Sequence, residues 1–429
     1  MKIKTRKLSY EEVLKLPRLK RKKPRKPSLF LATVVRIVSG FTLRKIKFSY
    51  TTERMDLVSK EPCLILMNHS SFTDMKLAFG IFYPRRMGIV TSVDAMSGIL
   101  GKLMRILGCT PTHKYVSDIS LINDIKYMLK ENKTSVLMYP EAGYSFDGRT
   151  TTLPRGLGLL MKRLGVPVVT VITQGAFHRD PVYNMLQIRD VKVSAHVKCI
   201  ATSQEIKEKS VEELDNLIAK EFDFDNFAWQ RDNKISVDEP FRADGLNRIL
   251  YKCPHCGAEN QMEGKGIYLT CHSCNKRWEM DEYGQLAAID GETEYSHIPD
   301  WYSWQRECVR EEILKGEYLL DTEVDISIQV NLDGVCDIGS GRLIHDTNGF
   351  HLTGADGKLD YKQSATFSHT LYSDYYWYEI SDVIGIGDNE FSYFCFPKGN
   401  VSVTKARLAT EELYKIKKAK GKAKENPIG

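Results

Sequence analysis

The sequence predicts a chain of three folded parts. The first is an α/β domain with a mainly parallel sheet and flanking helices. It is followed by a small cysteine-held ribbon, and then by a small antiparallel β domain closed by a C-terminal helix. Three observations predict this. Short apolar runs alternate with helically spaced ones from about residue 48 to 222, the signature of a parallel sheet covered by helices. Two Cys-x2-Cys pairs stand fourteen residues apart at 253–274, close to the spacing of a four-thiolate metal site. From 317 to 396 the pattern changes to short alternating runs divided by Gly, Asp and Asn, which is strand-and-turn chemistry.

Taken in order, the first segment is 1–44. Residues 1–27 hold twelve Lys/Arg against Glu11 and Glu12, a net charge of +10. The final 25 residues are +5 and the body between is −9, although the whole chain is only +6. Terminal blocks of like charge read as arms that seek an anionic surface. Prolines 17, 24 and 27 leave room for little more than a short helix near Ser9–Leu16. The basic start is too long for a secretory signal peptide. Leu29–Leu43 is apolar but interrupted by Arg36. It falls short of the ~20 residues that a membrane span needs and suits a helix lying in the membrane interface.

The α/β domain is expected over 45–225. Cys63–Met67, Met87–Thr91, Ser135–Tyr139 and Val166–Thr173 read as strands. Met75–Phe82, Ala95–Leu107, Ser117–Glu131 and Arg155–Leu164 carry helical spacing. Residues 226–249 read as a linker without sustained period, 250–290 as the ribbon, and 291–317 as a connecting helix with Trp301 and Trp304. The β domain with its C-terminal helix occupies 318–420, before a tail at 421–429. Val324–Val330, His351–Gly354, Tyr376–Ile380 and Phe391–Phe396 are its candidate strands.

At the exit of the first strand stands Asn68-His69-Ser70-Ser71-Phe72-Thr73-Asp74. An imidazole can take a hydroxyl proton near neutral pH, and a carboxylate on its far nitrogen fixes the tautomer. Asp74 also suits a helix N-cap, the plainer reading. Ser70 and Ser71 lack the Gly-x-Ser-x-Gly elbow of a hydrolase nucleophile. Further on come Gly108-Cys109-Thr110-Pro111-Thr112-His113-Lys114, then Tyr139-Pro140-Glu141-Ala142-Gly143-Tyr144-Ser145, then Gly165-Val166-Pro167-Val168.

These four ordered blocks resemble the glycerolipid acyltransferase family, lysophosphatidic acid acyltransferases included, over about residues 45–220. The resemblance implies a membrane-associated enzyme moving an acyl group from acyl-CoA or acyl-carrier protein to a hydroxyl of a lysolipid acceptor. His69 would be the general base and Asp74 its orienting partner. Glu141, Lys114, Ser145, Arg149 and Arg155 would contact the acceptor. The family's third block usually reads Phe-Pro-Glu-Gly-Thr-Arg-Ser, so Tyr144 stands where Arg is usual, and Lys114 stands for the Arg of the second block. Lys is a point charge where Arg is a planar fork. The acceptor grip is therefore rebuilt, and 1-acylglycerol-3-phosphate shares the expectation with other lysolipids and other hydroxylated or aminated acceptors. A non-catalytic lipid- or nucleic-acid-binding scaffold is the alternative.

Cys253, Cys256, Cys271 and Cys274 are expected to hold a structural Zn2+. Four thiolates leave no open position for catalysis. His255 and His272 are not expected as ligands, and no dense basic face predicts nucleic acid there. The other six of the ten cysteines read as buried apolar side chains in a reducing compartment. The β domain resembles pleckstrin-homology-like or GRAM-like modules in pattern only. Its Tyr372, Tyr375, Tyr376, Trp377 and Tyr378 read as core rings of a strand. The expected partners are an anionic membrane surface, the lysolipid and the thioester donor, at the cytoplasmic face of a membrane as a peripheral or monotopic protein.

Overall fold

The computed structural model describes residues 2–58, 60–114, 116 and 118–425, with side chains as far as 419. The expected tail at 421–429 thus lies partly outside the described residues, as does Ser117 of the expected fifth helix.

The basic arm is folded down rather than free. It forms strand β1 (Thr5–Lys7) and helix α1 (Tyr10–Leu14), the latter fixed by a capping box between Ser9 and Glu12. Val13 is fully buried. Helix α2 (Leu29–Lys45) follows.

The α/β domain then runs in sequence. Its elements are β2 (Ser49–Glu53), β3 (Leu64–Met67), α3 (Asp74–Phe82), β4 (Met87–Ser92), α4 (Gly98–Ile106), β5 (Cys109–Thr112), α5 (Ile119–Lys130) and β6 (Ser135–Met138). After these come α6 (Leu157–Leu164), β7 (Val168–Gln174), α7 (Ala176–Arg179), β8 (Ser194–Ala201), α8 (Ser203–Glu208) and α9 (Val211–Phe222). The seven strands form one sheet in the order β2-β8-β7-β3-β6-β4-β5, parallel except where β8 runs against β7. The fully buried Leu64–Met67 explains why β3 is central: a strand covered on both faces reads as an unbroken apolar run. One face is filled by Leu77, Phe79 and Leu43 from α3 and α2, the other by Met128, Met161 and Ile218 from α5, α6 and α9.

The expected linker at 226–249 is structured. It holds α10 (Asn226–Asp232) and buries Phe227, Leu246 and Ile249. These anchors are irregularly spaced, so no periodicity announced them. The ribbon comprises β9 (Met262–Lys265), β10 (Tyr268–Cys271), β11 (Arg277–Met280) and β12 (Leu286–Ala288), paired antiparallel in the order β12-β11-β10-β9. Helix α11 (Ile298–Lys315) leads to β13 (Leu320–Gln329), β14 (Val335–Asp346), β15 (Gly349–Gly354), β16 (Leu359–Ser364), β17 (Tyr372–Trp377), β18 (Ser381–Gly387) and β19 (Ser392–Pro397). The chain closes with α12 (Val403–Glu425). The sheet order is β16-β15-β14-β13-β19-β18-β17, and β1 of the arm joins it parallel to β14.

Of the expected strand Tyr376–Ile380, Tyr376 and Trp377 are the last residues of β17 and 378–380 form the turn into β18. Tyr376, Tyr378 and Glu379 have φ near +50 to +66°, the left-handed region that ends extended pairing. Among the described residues no helix is long and apolar enough to cross a membrane.

Candidate active site

The C-terminal ends of parallel strands form the crevice where α/β sheets place ligands. Here β3 ends at Asn68, whose side chain clamps its neighbour β7. Asn68 Oδ1 accepts from the Thr173 amide at 2.8 Å and from its hydroxyl at 3.0 Å. The next residue is His69. Five positions on, Asp74 is the first residue of α3, with Thr73 at the cap position. The turn between them folds the carboxylate back onto the imidazole. Asp74 Oδ2 accepts from His69 Nδ1 at 2.9 Å and from the Ser70 and Ser71 amides at 2.9 and 3.1 Å. This leaves His69 Nε2 as the outward nitrogen, and it has no hydrogen-bond partner among the described residues.

Both faces of the imidazole are covered. Tyr139, at the end of β6, stacks at 4.3 Å between ring centroids, and Tyr144 lies against the ring at 4.0 Å. Phe72 stacks on Tyr144 in turn at 4.9 Å. Burial holds the imidazole below its usual value, against the upward pull of Asp74, and the charge of Lys114 adds to the lowering. The result is a neutral, oriented imidazole whose edge alone is open. That group can accept a proton from a hydroxyl delivered along the edge.

The loop after β6 is tied to the same residue. Glu141 Oε2 accepts from the His69 amide at 3.4 Å, and the Ser145 amide donates to the His69 carbonyl at 3.2 Å. Burial pushes the Glu141 carboxyl up to about 8. Ser145 works inside the loop: its hydroxyl donates to the Arg149 carbonyl at 2.5 Å and accepts from the Gly148 amide at 3.0 Å.

Residues 48–174 match the acyltransferase family. They form an acyltransferase domain. The 1-acyl-sn-glycerophosphate (LPA) acyltransferase PlsC from Thermotoga maritima aligns with 44% of this chain and 80% of its own, at 14% identity and a TM-score of 0.33. No curated protein matches.

Around the acyltransferase domain, the expected acceptor contacts separate. Lys114, beyond β5, points its ammonium at the Tyr372 ring of the β domain, 4.1 Å from the centroid. Tyr372 and Tyr378 both donate to Asp94 of the acyltransferase domain, at 2.9 and 3.1 Å. Arg149 is committed to other partners. Its guanidinium binds Asp225 and Asp300 at 2.9 Å each and Ser303 at 3.3 Å, joining the domain to α11. Arg155 is exposed just ahead of α6. The structure therefore gathers His69, Asp74, Glu141 and, through its field, Lys114, while Ser145 and Arg149 hold structure together.

Sequence reasoning missed Arg407 altogether. This α12 residue is buried, donates to the Tyr144 carbonyl at 3.2 Å and lies 4.3 Å over the Phe146 ring. It also pairs with Glu411 at 3.4 Å. Burial would raise the Glu411 carboxyl, but Arg306 and Arg407 hold it down to about 2. The C-terminal helix thus braces the loop whose tyrosine rests on His69.

The ribbon cysteines converge. Their four sulfurs lie within 4.8 Å of one another, with Cys253–Cys274 and Cys256–Cys271 each 3.8 Å apart. Such separations are far beyond a disulfide bond. They match the ~3.8 Å edge of a tetrahedron with ~2.3 Å metal–sulfur bonds, so the cluster suits a metal such as zinc. His255 and His272 lie against Glu294 and Glu263 instead. Trp278 of the ribbon meets Trp301 of α11 edge-on at 5.0 Å, and Gln305 of α11 bonds Ile249 and Lys252. The module is fastened to its neighbours.

Proposed function

We propose that this chain is a membrane-surface O-acyltransferase that moves a fatty acyl group from an acyl thioester to a hydroxyl of a lysophospholipid-like acceptor. The observation that carries the reading is the 2.9 Å His69–Asp74 pair with Nε2 open, inside an acyltransferase domain. His69 Nε2 takes the acceptor's hydroxyl proton as the oxygen attacks the thioester carbonyl. The new ester bond forms, the carbon–sulfur bond breaks, and the imidazolium returns its proton to the departing thiolate. Asp74 stabilises the imidazolium meanwhile. Lys114 supplies a positive charge near His69 for an acidic headgroup, and Tyr144 lends an aromatic wall where the family usually has a guanidinium. Four cysteine thiolates hold a structural Zn2+ in the ribbon and take no part in the chemistry.

Membrane contact is supported by α2 and α4. Phe30, Ile37, Val38 and Phe41 are 79, 62, 60 and 71% exposed on α2, and Ile99 of α4 is 86% exposed. The two helices adjoin where the Ser28 amide donates to the Ile106 carbonyl. Basic residues 20–26 precede this apolar surface, an arrangement suited to an anionic interface.

The test is acyl transfer by the purified chain from labelled oleoyl thioester to a panel of lysophospholipids. Wild type should turn over and His69→Ala should lose at least about a thousandfold. Equal turnover in both would overturn the role of His69. No turnover with any acceptor would favour a lipid-binding scaffold.

A further inference from the structure

The loop after β6 brings Tyr139, Glu141 and Tyr144 to His69, and it carries a strained backbone. Ala142 has φ +54°, a left-handed value that a residue with a Cβ keeps only where its surroundings impose it. Those surroundings reach in from the far end of the chain. Arg407 of α12 is 3% exposed. Its guanidinium donates to the Tyr144 carbonyl at 3.2 Å and lies 4.3 Å over the Phe146 ring. Tyr375 of β17 packs on the same ring, with centroids 4.7 Å apart, and its hydroxyl is bonded to Thr404 of α12.

The guanidinium is itself held. Glu411, one turn along α12, accepts from Arg407 Nε at 3.4 Å. Thr370 and Arg306 each donate to Glu411 at 2.6 Å. A planar fork anchored in this way delivers its remaining N–H groups in a fixed direction. The charge of Arg407 also faces Glu141, drawing that carboxyl down against the burial that raises it. One cation from a distant segment thus meets both loop residues that bear on His69, Tyr144 with its ring at 4.0 Å and Glu141 with its carboxyl at 3.4 Å from the amide.

We propose that Arg407 is a positioning residue for acyl transfer: from α12 it fixes where the Tyr144 ring lies on the His69 imidazole, so that the site is complete only with the C-terminal helix docked on it. The proposal rests on the acyl-transfer reading above. Without this donor the Tyr144 carbonyl is released and its ring can leave the imidazole, which opens that face to water. Phe72, stacked on Tyr144 at 4.9 Å, loses its support with it. Water favours the imidazolium, so His69 should then hold its proton to higher pH. Asp74 of α3, Lys114 beyond β5, and Tyr139 and Glu141 face His69 as before, so the change reports the Tyr144 ring.

Arg407→Lys keeps the positive charge beside Glu411 and Glu141 and loses the fork. In the full chain without substrate, NMR titration of the His69 ring should show a proton affinity about threefold higher than in wild type. In turnover from oleoyl thioester to lysophospholipid, kcat should fall about tenfold with KM for the thioester within about twofold. The acid limb of the kcat profile should move to higher pH. Arg407→Lys/Tyr144→Leu should match Tyr144→Leu in titration and in kcat, because the transmitting ring is gone. Phe146→Leu removes the ring beneath the guanidinium and leaves both charges. It should shift the titration in the same direction by a smaller factor, and it carries the test should Arg407→Lys not fold. A merely structural brace would lower Tm and leave the His69 titration where it is. That result overturns the proposal, as does an additive effect in the double variant. If wild type turns over and the His69 titration ignores both substitutions, the proposal fails and the acyl-transfer reading stands. If the titration moves as described but wild type acylates no acceptor, the placement of Tyr144 by Arg407 stands and the acyl-transfer reading fails.

Discussion

Replacing Asp74 by Asn isolates what its charge contributes. The side chain is buried, and only Oδ2 is engaged: it serves His69 and the two serine amides, while Oδ1 is buried without a hydrogen-bond partner. An Asn can leave its oxygen on the three donors and put its NH2 where Oδ1 stood, so the geometry survives. The stability loss should be about 1–3 kcal/mol for an unsatisfied buried donor. The catalytic loss should be larger. Burial already pushes the His69 imidazole down, and the carboxylate is the group that favours its protonation. Opposite charges ~4 Å apart at an effective dielectric near 20 interact by about 4 kcal/mol. Withdrawing that from the imidazolium-like transition state slows the reaction by about three powers of ten. Thiol release from the donor at saturating acceptor measures kcat directly, with far-ultraviolet circular dichroism as a fold control. Groups that act as a unit are not additive, so His69→Ala/Asp74→Asn should be no slower than His69→Ala. A kcat for Asp74→Asn within about fivefold of wild type would refute the paired-base reasoning.

Other consequences can be checked in parallel. Cys271→Ser, or exhaustive chelation, should unfold the ribbon, read as loss of Trp278 burial by fluorescence and of about one metal equivalent by elemental analysis. Arg407→Met leaves Glu411 buried with half its compensation and should lower stability by about 3–5 kcal/mol, seen as a drop in Tm. Glu141→Gln should change pH dependence in a definite sense. The folded carboxyl is raised to about 8, so its stability contribution is complete below the unfolded value near 4.5 and is lost as pH rises through 8. Thermal melts should therefore show the variant gaining on wild type from pH 5 to about pH 8 and levelling above it, and a constant difference across that range would contradict it. Phe41→Asp together with Ile99→Asp should abolish flotation with anionic vesicles while leaving Tm within a few degrees, because both side chains face solvent.

The α/β domain was legible because its strands are buried on both faces and its motifs sit where such strands end. His69 and Asp74 were legible because five residues of turn suffice to close the pair. The cysteine cluster followed from spacing alone. What stayed hidden depends on contacts between distant segments. Lysines and arginines of the arm look like a solvated block, yet Arg21 pairs with α5 and Leu19 bonds Val330. Tyr144 stood out as a departure from the family pattern, but nothing local says that its ring covers His69. Arg149 looked like a phosphate grip because its partners Asp225 and Asp300 are 76 and 151 residues away. The Tyr376–Ile380 run has strand-forming residues, and only its backbone, left-handed at Tyr376, Tyr378 and Glu379, shows that β17 ends at Trp377 and the chain turns over 378–380.

The pairing of β1 with β14 joins Thr5–Lys7 to Val335–Asp337, and this has a consequence in time. During synthesis the arm's docking strand does not exist until some 330 further residues have emerged, roughly 20–60 s at ~5–20 residues per second. Throughout that interval Thr5–Lys7 have no strand to pair with, although Arg21 can already meet Asp118 and Asp124 once the acyltransferase domain has folded. The arm is thus fastened in two stages, first at Arg21 on the acyltransferase domain and only at the end at Thr5–Lys7 on the β domain.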